Sequence, residues 1–404
     1  MHILFFTHYF PPEVNAPASR THEHAKYWVK AGHKVTVITN HPNHPHGNLF
    51  KGYKNRLFSK EIIDGIRVIR VWTYLVPNSG VFKRTLNFLI YSLLAFIQGL
   101  FVKGEDVIVG TTPQFFCGFS GLLVSKMKGK PFIGEIRDLW PDSIAAVGAI
   151  DDSKFLKIFY WLEKYFYNKA DHLVVLTRSF AKHVKELSRT RTSFIPNGVD
   201  HELWLNLDRS NNGHILLQKG DLKVGYIGTF GMAHGLDLVL DVAKETQGAN
   251  KVQYYLIGDG SEKKHLESRI EEENINNVSL YGLQPKSSIP FIIDQLDVML
   301  VLLKRDPVFK TVIPSKLFEG MVMKKPLVVG VEGETKQIVE NAGAGLTIVP
   351  ESRSEFKEAI LKLRDQQDLR NQLANDGYQH VTKFFIRKKL AGQYINIFKA
   401  LTAQ

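Results

Sequence analysis

Cysteine is almost absent from this chain. With Cys117 alone among 404 residues, no intramolecular disulfide can form and no cysteine-based zinc site can be assembled. A reducing compartment is expected, with Cys117 serving as a small buried hydrophobe. Long apolar runs are also scarce. The longest, from Leu86 to Val102, is interrupted by Asn87 and Gln98 and falls short of the roughly 20 residues a spanning helix needs. It reads as a largely buried helix with one face available to a membrane. The start, Met1 to His8, lacks the basic and apolar regions of a signal peptide and reads as a first strand. Acidic residues are in deficit, 40 against 52 lysines and arginines, which leaves a net charge of +12. Such an excess suits nucleic acid, an anionic membrane surface or a polyanionic substrate. No recognised nucleic-acid module or aromatic-basic stacking surface accompanies it, so nucleic acid is not expected as a partner. Lys154, Lys157, Lys164 and Lys169 fall on related faces of an aromatic-rich helix, which is either a core stripe with a solvated basic face or a surface-binding element.

Short apolar runs alternate with helix-like stretches from the first residue, the pattern of a parallel α/β fold with helices on both sides of the sheet. Strands are expected at 2–6, 34–39, 66–71, 106–110, 131–135 and 173–176. The rhythm breaks after Ile195-Pro196-Asn197-Gly198-Val199-Asp200, passes through a polar stretch, and restarts with strands at 223–227, 253–257, 278–281, 298–302, 327–330 and 346–349. Two facing Rossmann-like, doubly wound domains are therefore expected: residues 1–205, a linker at 206–222, and residues 223–384. A final helix at 385–404 would pack back toward the first domain. Open parallel sheets bind ligands beyond the carboxyl ends of their strands, which points to a cleft between the domains.

Several post-strand segments carry candidate chemistry. In Pro314-Ser315-Lys316-Leu317-Phe318-Glu319, the lysine and glutamate lie three apart where a helix should start, so both share one face. Glu319 can accept hydrogen bonds from a ribose diol while Lys316 meets adjoining phosphates; a solvated surface pair is the plainer alternative. Gly228-Thr229-Phe230-Gly231 reads as a strand-to-helix turn whose amides suit a phosphate, although its spacing is neither a dinucleotide fingerprint nor a Walker loop. Gly258-Asp259-Gly260 is either a tight capped turn or a reader of a nucleobase edge. In the first half, the proline-rich loop holding Pro12, Glu13, Asn15 and Ala16 can shape an acceptor pocket, and Arg20 just beyond can approach a phosphate. Arg137 and Asp138, at a strand end before Trp140-Pro141-Asp142-Ser143, can orient an acceptor hydroxyl or form a salt-bridged loop. His41, His44 and His46 suggest a metal at first sight, but the intervening prolines oppose convergence and no carboxylate is near, so no metal is expected.

Taken in order, Tyr9 to Glu13, His41 to Gly47, Arg137 to Pro141, Ile195 to Asp200, Gly258 to Gly260 and Pro314 to Glu319 resemble the family 4 retaining glycosyltransferases of GT-B fold. The likeness is to the bacterial branch that builds O-antigen and capsule polysaccharides, N-acetylfucosamine transferases included. The resemblance implies metal-independent transfer of a sugar, with retention, from a UDP- or dTDP-linked donor to a polyprenyl-linked glycan. It places the enzyme in the cytoplasm, peripherally on the inner face of the membrane, and assigns no cofactor. By analogy Glu319 matches the second glutamate of the family's Glu-x7-Glu motif, which holds the ribose. The first would fall at Thr311, a departure that leaves the sugar contacts to other groups. The basic pair that relatives carry after the first strand of the second domain is missing between Gly228 and Gly235, so Lys316, with Lys304 or Arg305, is expected to neutralise the pyrophosphate. Relatives carry paired glycines where this chain has Asn15-Ala16, and a histidine where it has Arg137. Asn197 completes the expected substrate-binding set. A nucleotide-sugar 2-epimerase of the same fold is the alternative.

Overall fold

A computed structural model describes residues 1–44, 47–76, 81–112, 115–139, 141, 153–205, 217, 222–248 and 251–403. His46, Trp140, Asp142, Ser143, the side chain of Lys154 and nearly all of the expected linker lie outside these residues. The chain divides into two units: Met1–Asn197 with Arg387–Gln404, and Gly198–Ile386. The crossing thus lies ahead of residue 205, where the sequence pattern suggested it. The reason is that Val199 already belongs to the second unit, its amide bonded to the Phe385 carbonyl and its side chain packed in that unit's core.

The first unit holds His2–Phe6 (β1), Lys34–Asn40 (β2), Phe58–Ile63 (β3), Ile66–Val71 (β4), Val107–Thr111 (β5), Phe132–Ile136 (β6), His172–Val175 (β7) and Thr192–Phe194 (β8). They form one sheet in the order β3-β4-β2-β1-β5-β6-β7-β8, parallel throughout except for β3 against β4. The three-residue edge strand β8 was not foreseen, and neither was the opposite edge strand β3, which pairs with β4. The side chains of β3 are only partly covered and include Ser59, Lys60 and Glu61, so it lacks the apolar run that marks a central strand. A signal was nevertheless present. Asp64-Gly65 joins the two strands with both residues at positive φ (49° and 78°), the tight hairpin that an Asp-Gly pair favours.

Alternate residues of β1 feed two cores. Ile3 and Phe5 pack with Trp28 and Val37, while Leu4 and Phe6 pack with Ile38, Tyr91 and Phe132 on the other face. The last helix, Arg387–Thr402, closes the first of these layers: the Trp28 indole donates to the Ala391 carbonyl at 3.1 Å and meets the Phe398 ring at 5.1 Å.

In the second unit, Leu222–Thr229 (β9), Val252–Asp259 (β10), Val278–Tyr281 (β11), Val298–Leu302 (β12), Leu327–Gly330 (β13) and Gly345–Thr347 (β14) make an all-parallel sheet in the order β11-β10-β9-β12-β13-β14. Numbered within the unit, this is 3-2-1-4-5-6, the doubly wound order whose strand sequence reverses between its first and fourth strands. The carboxyl ends of β9 and β12 are therefore where a ligand is expected.

Candidate active site

At that reversal β9 ends in Tyr226-Ile227-Gly228-Thr229. Gly228 sits at φ +147°, and a Cβ there would lie 2.9 Å from the Lys316 ammonium, so the glycine keeps that space open. Its neighbours serve a different purpose. A Cβ on Gly258 would lie 1.8 Å from the Gly228 carbonyl, and one on Gly260 would lie 2.3 Å from the Phe230 carbonyl. The Phe230 amide donates to the Asp259 carbonyl, and the Asp259 side chain accepts from the Gly260 amide. The Gly258-Asp259-Gly260 segment is therefore a capped turn that lets two strand ends touch.

The α-helix does not follow Gly228 directly. β9 extends through the exposed Thr229, Phe230 is buried, and Gly231 leads into a single 3-10 turn at Met232–His234. The α-helix begins only at Asp237, whose carboxylate already faces Arg269 and His265 at 2.7 and 2.8 Å. An acidic first turn satisfies the positive end of the helix without a ligand.

Lys316 opens the helix Lys316–Val322, with Pro314 and Ser315 just ahead and Glu319 half-buried one turn on. Its ammonium is buried, has no hydrogen-bond partner, and lies 3.7 Å from the centre of the Tyr226 ring. Burial brings its pKa down to about 7, and the nearby charge of Glu319 offsets only part of this. The Tyr226 hydroxyl donates to the Thr229 carbonyl at 2.8 Å, which fixes the ring under the cation. His234 lies 5.7 Å from the same ring, with Nδ1 3.3 Å from the Leu302 carbonyl. Burial first, then the charge of Lys316, lowers the His234 pKa to about 4, so this imidazole is neutral near pH 7. Neither Tyr226 nor His234 was singled out from the sequence. A tyrosine two places before a strand-end glycine and a histidine before Gly235 are common residues, and only the fold brings them to the lysine. Lys304 is exposed beside Gly235, and the Thr311 hydroxyl is bonded to the Val308 carbonyl of its own turn.

The first unit places its candidates differently. Arg20 does not present itself to a phosphate. Its five N–H groups go to Glu135 (2.9 Å), the Pro196 carbonyl (2.8 Å), Asn197 (3.2 Å), the Ile195 carbonyl (3.0 Å) and Tyr394 (3.2 Å), so the expected phosphate contact is replaced by an internal tie. Asn197 is thereby committed through its carbonyl oxygen. Burial works to raise the Glu135 pKa, but Arg20 and Arg137 outweigh it and hold the carboxylate at about 2. Arg137 donates to the Pro17 carbonyl at 3.2 Å, keeps a buried Nε without a partner, and is drawn down to about 10 by burial. Asp138 is half-buried beside it.

Asn15 adopts an ordinary extended conformation and caps the helix Ala16–Lys30, accepting from the Ala18 amide at 2.9 Å; its suitability for unusual backbone angles is not used. Ala16 is exposed and Pro12 half-buried. Glu13 is buried, with Oε1 accepting from the Asn43 and His44 amides at 3.0 Å each and Oε2 unpartnered. His41 is bonded to the Arg56 carbonyl and His44 packs on Tyr9. Among the described residues no three His, Cys, Asp or Glu side chains gather around a metal position.

Residues 18–203 match the model described as Glycosyltransferase Family 4, and residues 209–380 match that of Glycosyl transferases group 1. This chain is a glycosyltransferase. Its two units have the GT-B fold, and it is related to family 4 and group 1 enzymes that act on nucleotide-diphosphate sugars. WcaI of Escherichia coli (strain K12), whose name places it in colanic acid biosynthesis, is 23% identical to the transferase over 368 residues, covering 87% of this chain and 89% of that protein. Sucrose-phosphate synthase from Thermosynechococcus elongatus superposes with a TM-score of 0.71 at 15% identity, over 100% of this chain and 99% of its own. HepE of Anabaena, solved with UDP-glucose, gives 0.68 at 16% identity, over 99% and 100%. In the transferase, the match to the group 1 model takes in Tyr226, Gly228, His234, Lys316 and Glu319 together.

Proposed function

We propose that the transferase moves an N-acetylated hexosamine, with retention, from a UDP- or dTDP-linked donor to a polyprenyl-linked glycan in the synthesis of O-antigen, capsule or a related polysaccharide. It acts at the inner face of the cytoplasmic membrane and without a required metal. The observation that carries the donor assignment is the buried Lys316 ammonium, which lacks a hydrogen-bond partner at the point where the strand order reverses. A buried cation of this kind is costly unless a ligand of opposite charge completes it. A pyrophosphate lying over Gly228 fits that need, with Glu319 one turn along to accept from the ribose hydroxyls. Further support comes from HepE, which was solved with UDP-glucose, and from WcaI, which is named for a surface polysaccharide.

The chemistry follows from charge. As the bond between the anomeric carbon and the β-phosphate oxygen breaks, its electron pair leaves with the phosphate, and Lys316 stabilises the charge that develops. The acceptor oxygen bonds to the same face of the sugar and its proton passes to the departing phosphate oxygen, so no separate carboxylate base is needed. Glu319→Ala should abolish the thermal shift that UDP or dTDP produces in the wild type while leaving the melting temperature of the free protein within a few degrees. An unchanged nucleotide shift would remove Glu319 from the site. Mass spectrometry of lipid-linked products would identify the transferred sugar, whereas a free epimerised sugar nucleotide formed without acceptor would favour the epimerase.

A further inference from the structure

We infer that the first unit docks on an anionic bilayer through one continuous apolar face built from the helices Val81–Phe101, Phe115–Lys128 and Ser153–Lys169. This deepens the proposed reading by naming the surface on which membrane attachment would rest. No helix among the described residues is long and apolar enough to cross a membrane, so attachment through this face would be lateral.

The first helix exposes a stripe at Leu89, Leu93, Ile97 and Phe101, with Leu93 at 60% and Phe101 at 74%. The four-residue spacing keeps these side chains on one side. The second exposes Leu123 and Met127, and the third Ile158, Trp161 and Tyr165, again at helical spacing. Leucines and a tryptophan exposed singly need no explanation, but three adjoining stripes do.

That they adjoin follows from the packing. The Ser120 hydroxyl donates to the Ser92 carbonyl at 2.8 Å, a Cβ on Gly99 would meet Val124 at 2.8 Å, and the Lys128 ammonium reaches the Val102 carbonyl. The first two helices therefore run parallel, with 92, 99 and 102 facing 120, 124 and 128. Leu93 lies one residue after its contact row, whereas Leu123 and Met127 lie one residue before theirs. One residue turns a helix by about 100°, and opposite turns on two facing parallel helices bring both stripes to the same side. The third helix joins through Phe119, whose ring stacks parallel to Tyr165 at 6.4 Å, and Tyr165 stacks in turn on Trp161 at 5.6 Å.

Charge selects the occupant. The three helices contain a single acid, Glu163, which is buried and bonded to Tyr167 and His183. Lys83, Lys126, Lys157, Lys164 and Lys169 are exposed on the same helices. Leucine and tryptophan side chains bordered by lysines, with no exposed acid on these three helices and Asp171 just beyond them 4.0 Å from Lys126, match the boundary between acyl chains and anionic headgroups.

The test is flotation of the full-length protein with vesicles of phosphatidylglycerol and phosphatidylcholine in equal parts, against phosphatidylcholine alone. UDP binding is measured on the same preparations, so that failure of the surface and failure of the donor reading are told apart. The wild type should prefer the anionic vesicles. Leu93→Asp with Trp161→Asp should weaken binding about tenfold or more, since both apolar contacts are lost. Lys157→Glu with Lys164→Glu should do the same through charge alone, with UDP binding unchanged in both cases. Brominated lipid should quench tryptophan fluorescence in the wild type and less in Trp161→Phe. Variants that float as well as the wild type would overturn the proposal. It would also be overturned by a wild type that ignores vesicles and forms a concentration-dependent dimer broken by these substitutions, which would assign the face to a second copy of the chain.

Discussion

Arg20 in the first unit and Lys316 in the second are both buried cations close to the carboxyl ends of a parallel sheet, yet they are treated in opposite ways. Every N–H of Arg20 has a partner, one of them the ionised Glu135. The Lys316 ammonium has an aromatic face, the more distant charge of Glu319, and no hydrogen bond. Burial penalises any charge; what differs is whether the chain itself supplies the compensation. A cation compensated internally ties β6, the Ile195–Asn197 segment and the last helix into one unit. The Lys316 ammonium is left without such internal hydrogen bonds.

Breaking the internal tie should have the larger effect on folding. Arg20→Leu leaves Glu135 buried without its principal counter-charge, and should cost about 3–5 kcal/mol of first-unit stability, read as a shifted denaturant midpoint. UDP binding by the second unit should persist where that unit remains folded. The Glu135 contribution has a defined pH range: because its folded pKa is near 2, below that of an ordinary carboxylate, its stabilisation is present above about pH 4.5 and is lost as pH falls toward 2.

Removing the uncompensated charge should have the reverse outcome. Lys316→Met takes away a group whose burial opposes folding, so the free protein should be as stable or slightly more so, while turnover falls by about 3–4 kcal/mol in activation free energy. The folded pKa of Lys316 is about 7, below the ordinary lysine value, so the unfolded chain binds the extra proton between about pH 7 and 10 and the cost of burial is largest below that range. A pyrophosphate should restore the charged form. Nucleotide binding at pH 8 should therefore take up a proton, seen as a buffer-dependent heat in calorimetry, and Lys316→Met should abolish that dependence.

Tyr226 tests how far the ring matters. Tyr226→Phe keeps the aromatic face and loses only the bond to Thr229, whereas Tyr226→Leu loses the face. The leucine variant should weaken nucleotide binding by about 1–2 kcal/mol and move the proton-uptake profile, with phenylalanine close to wild type. Equal behaviour of the two would show that the ring does not position the lysine.

How much of this was legible beforehand depends on the range of the interaction. The inner strands of the first sheet, the strands of the second, the helix at Lys316 and the one-turn spacing to Glu319 follow from local pattern, because apolar periodicity and a proline before a helix are properties of neighbouring residues. The function of Arg20 is not local: its partners Glu135 and Tyr394 lie 115 and 374 residues away, and an arginine after a glycine-poor loop resembles a phosphate ligand until those partners are known. Gly258 and Gly260 were ambiguous for the same reason, since the groups they approach belong to another strand. The edge strand β3 is hard to read because its side chains are exposed or half-buried and carry no continuous apolar run, so that the Asp64-Gly65 turn is its main local mark.

Glu13 gives the smallest and most discriminating test, because it stands between the two cases. One of its oxygens is compensated by the Asn43 and His44 amides and the other by nothing. Burial raises its pKa to about 7, against the pull of those amides and of Arg70. With a folded pKa above the ordinary value, its contribution is fully present below about pH 4.5 and is lost as pH rises through 7. Glu13→Gln keeps an oxygen for the two amides and removes the titrating proton, so it should be neutral near pH 5 and stabilising by up to about 1 kcal/mol at pH 8, measured by thermal unfolding at both values. If turnover falls while that stability pattern holds, the second oxygen serves the acceptor; if turnover is unchanged, Glu13 belongs with Arg20 among the groups that hold the fold.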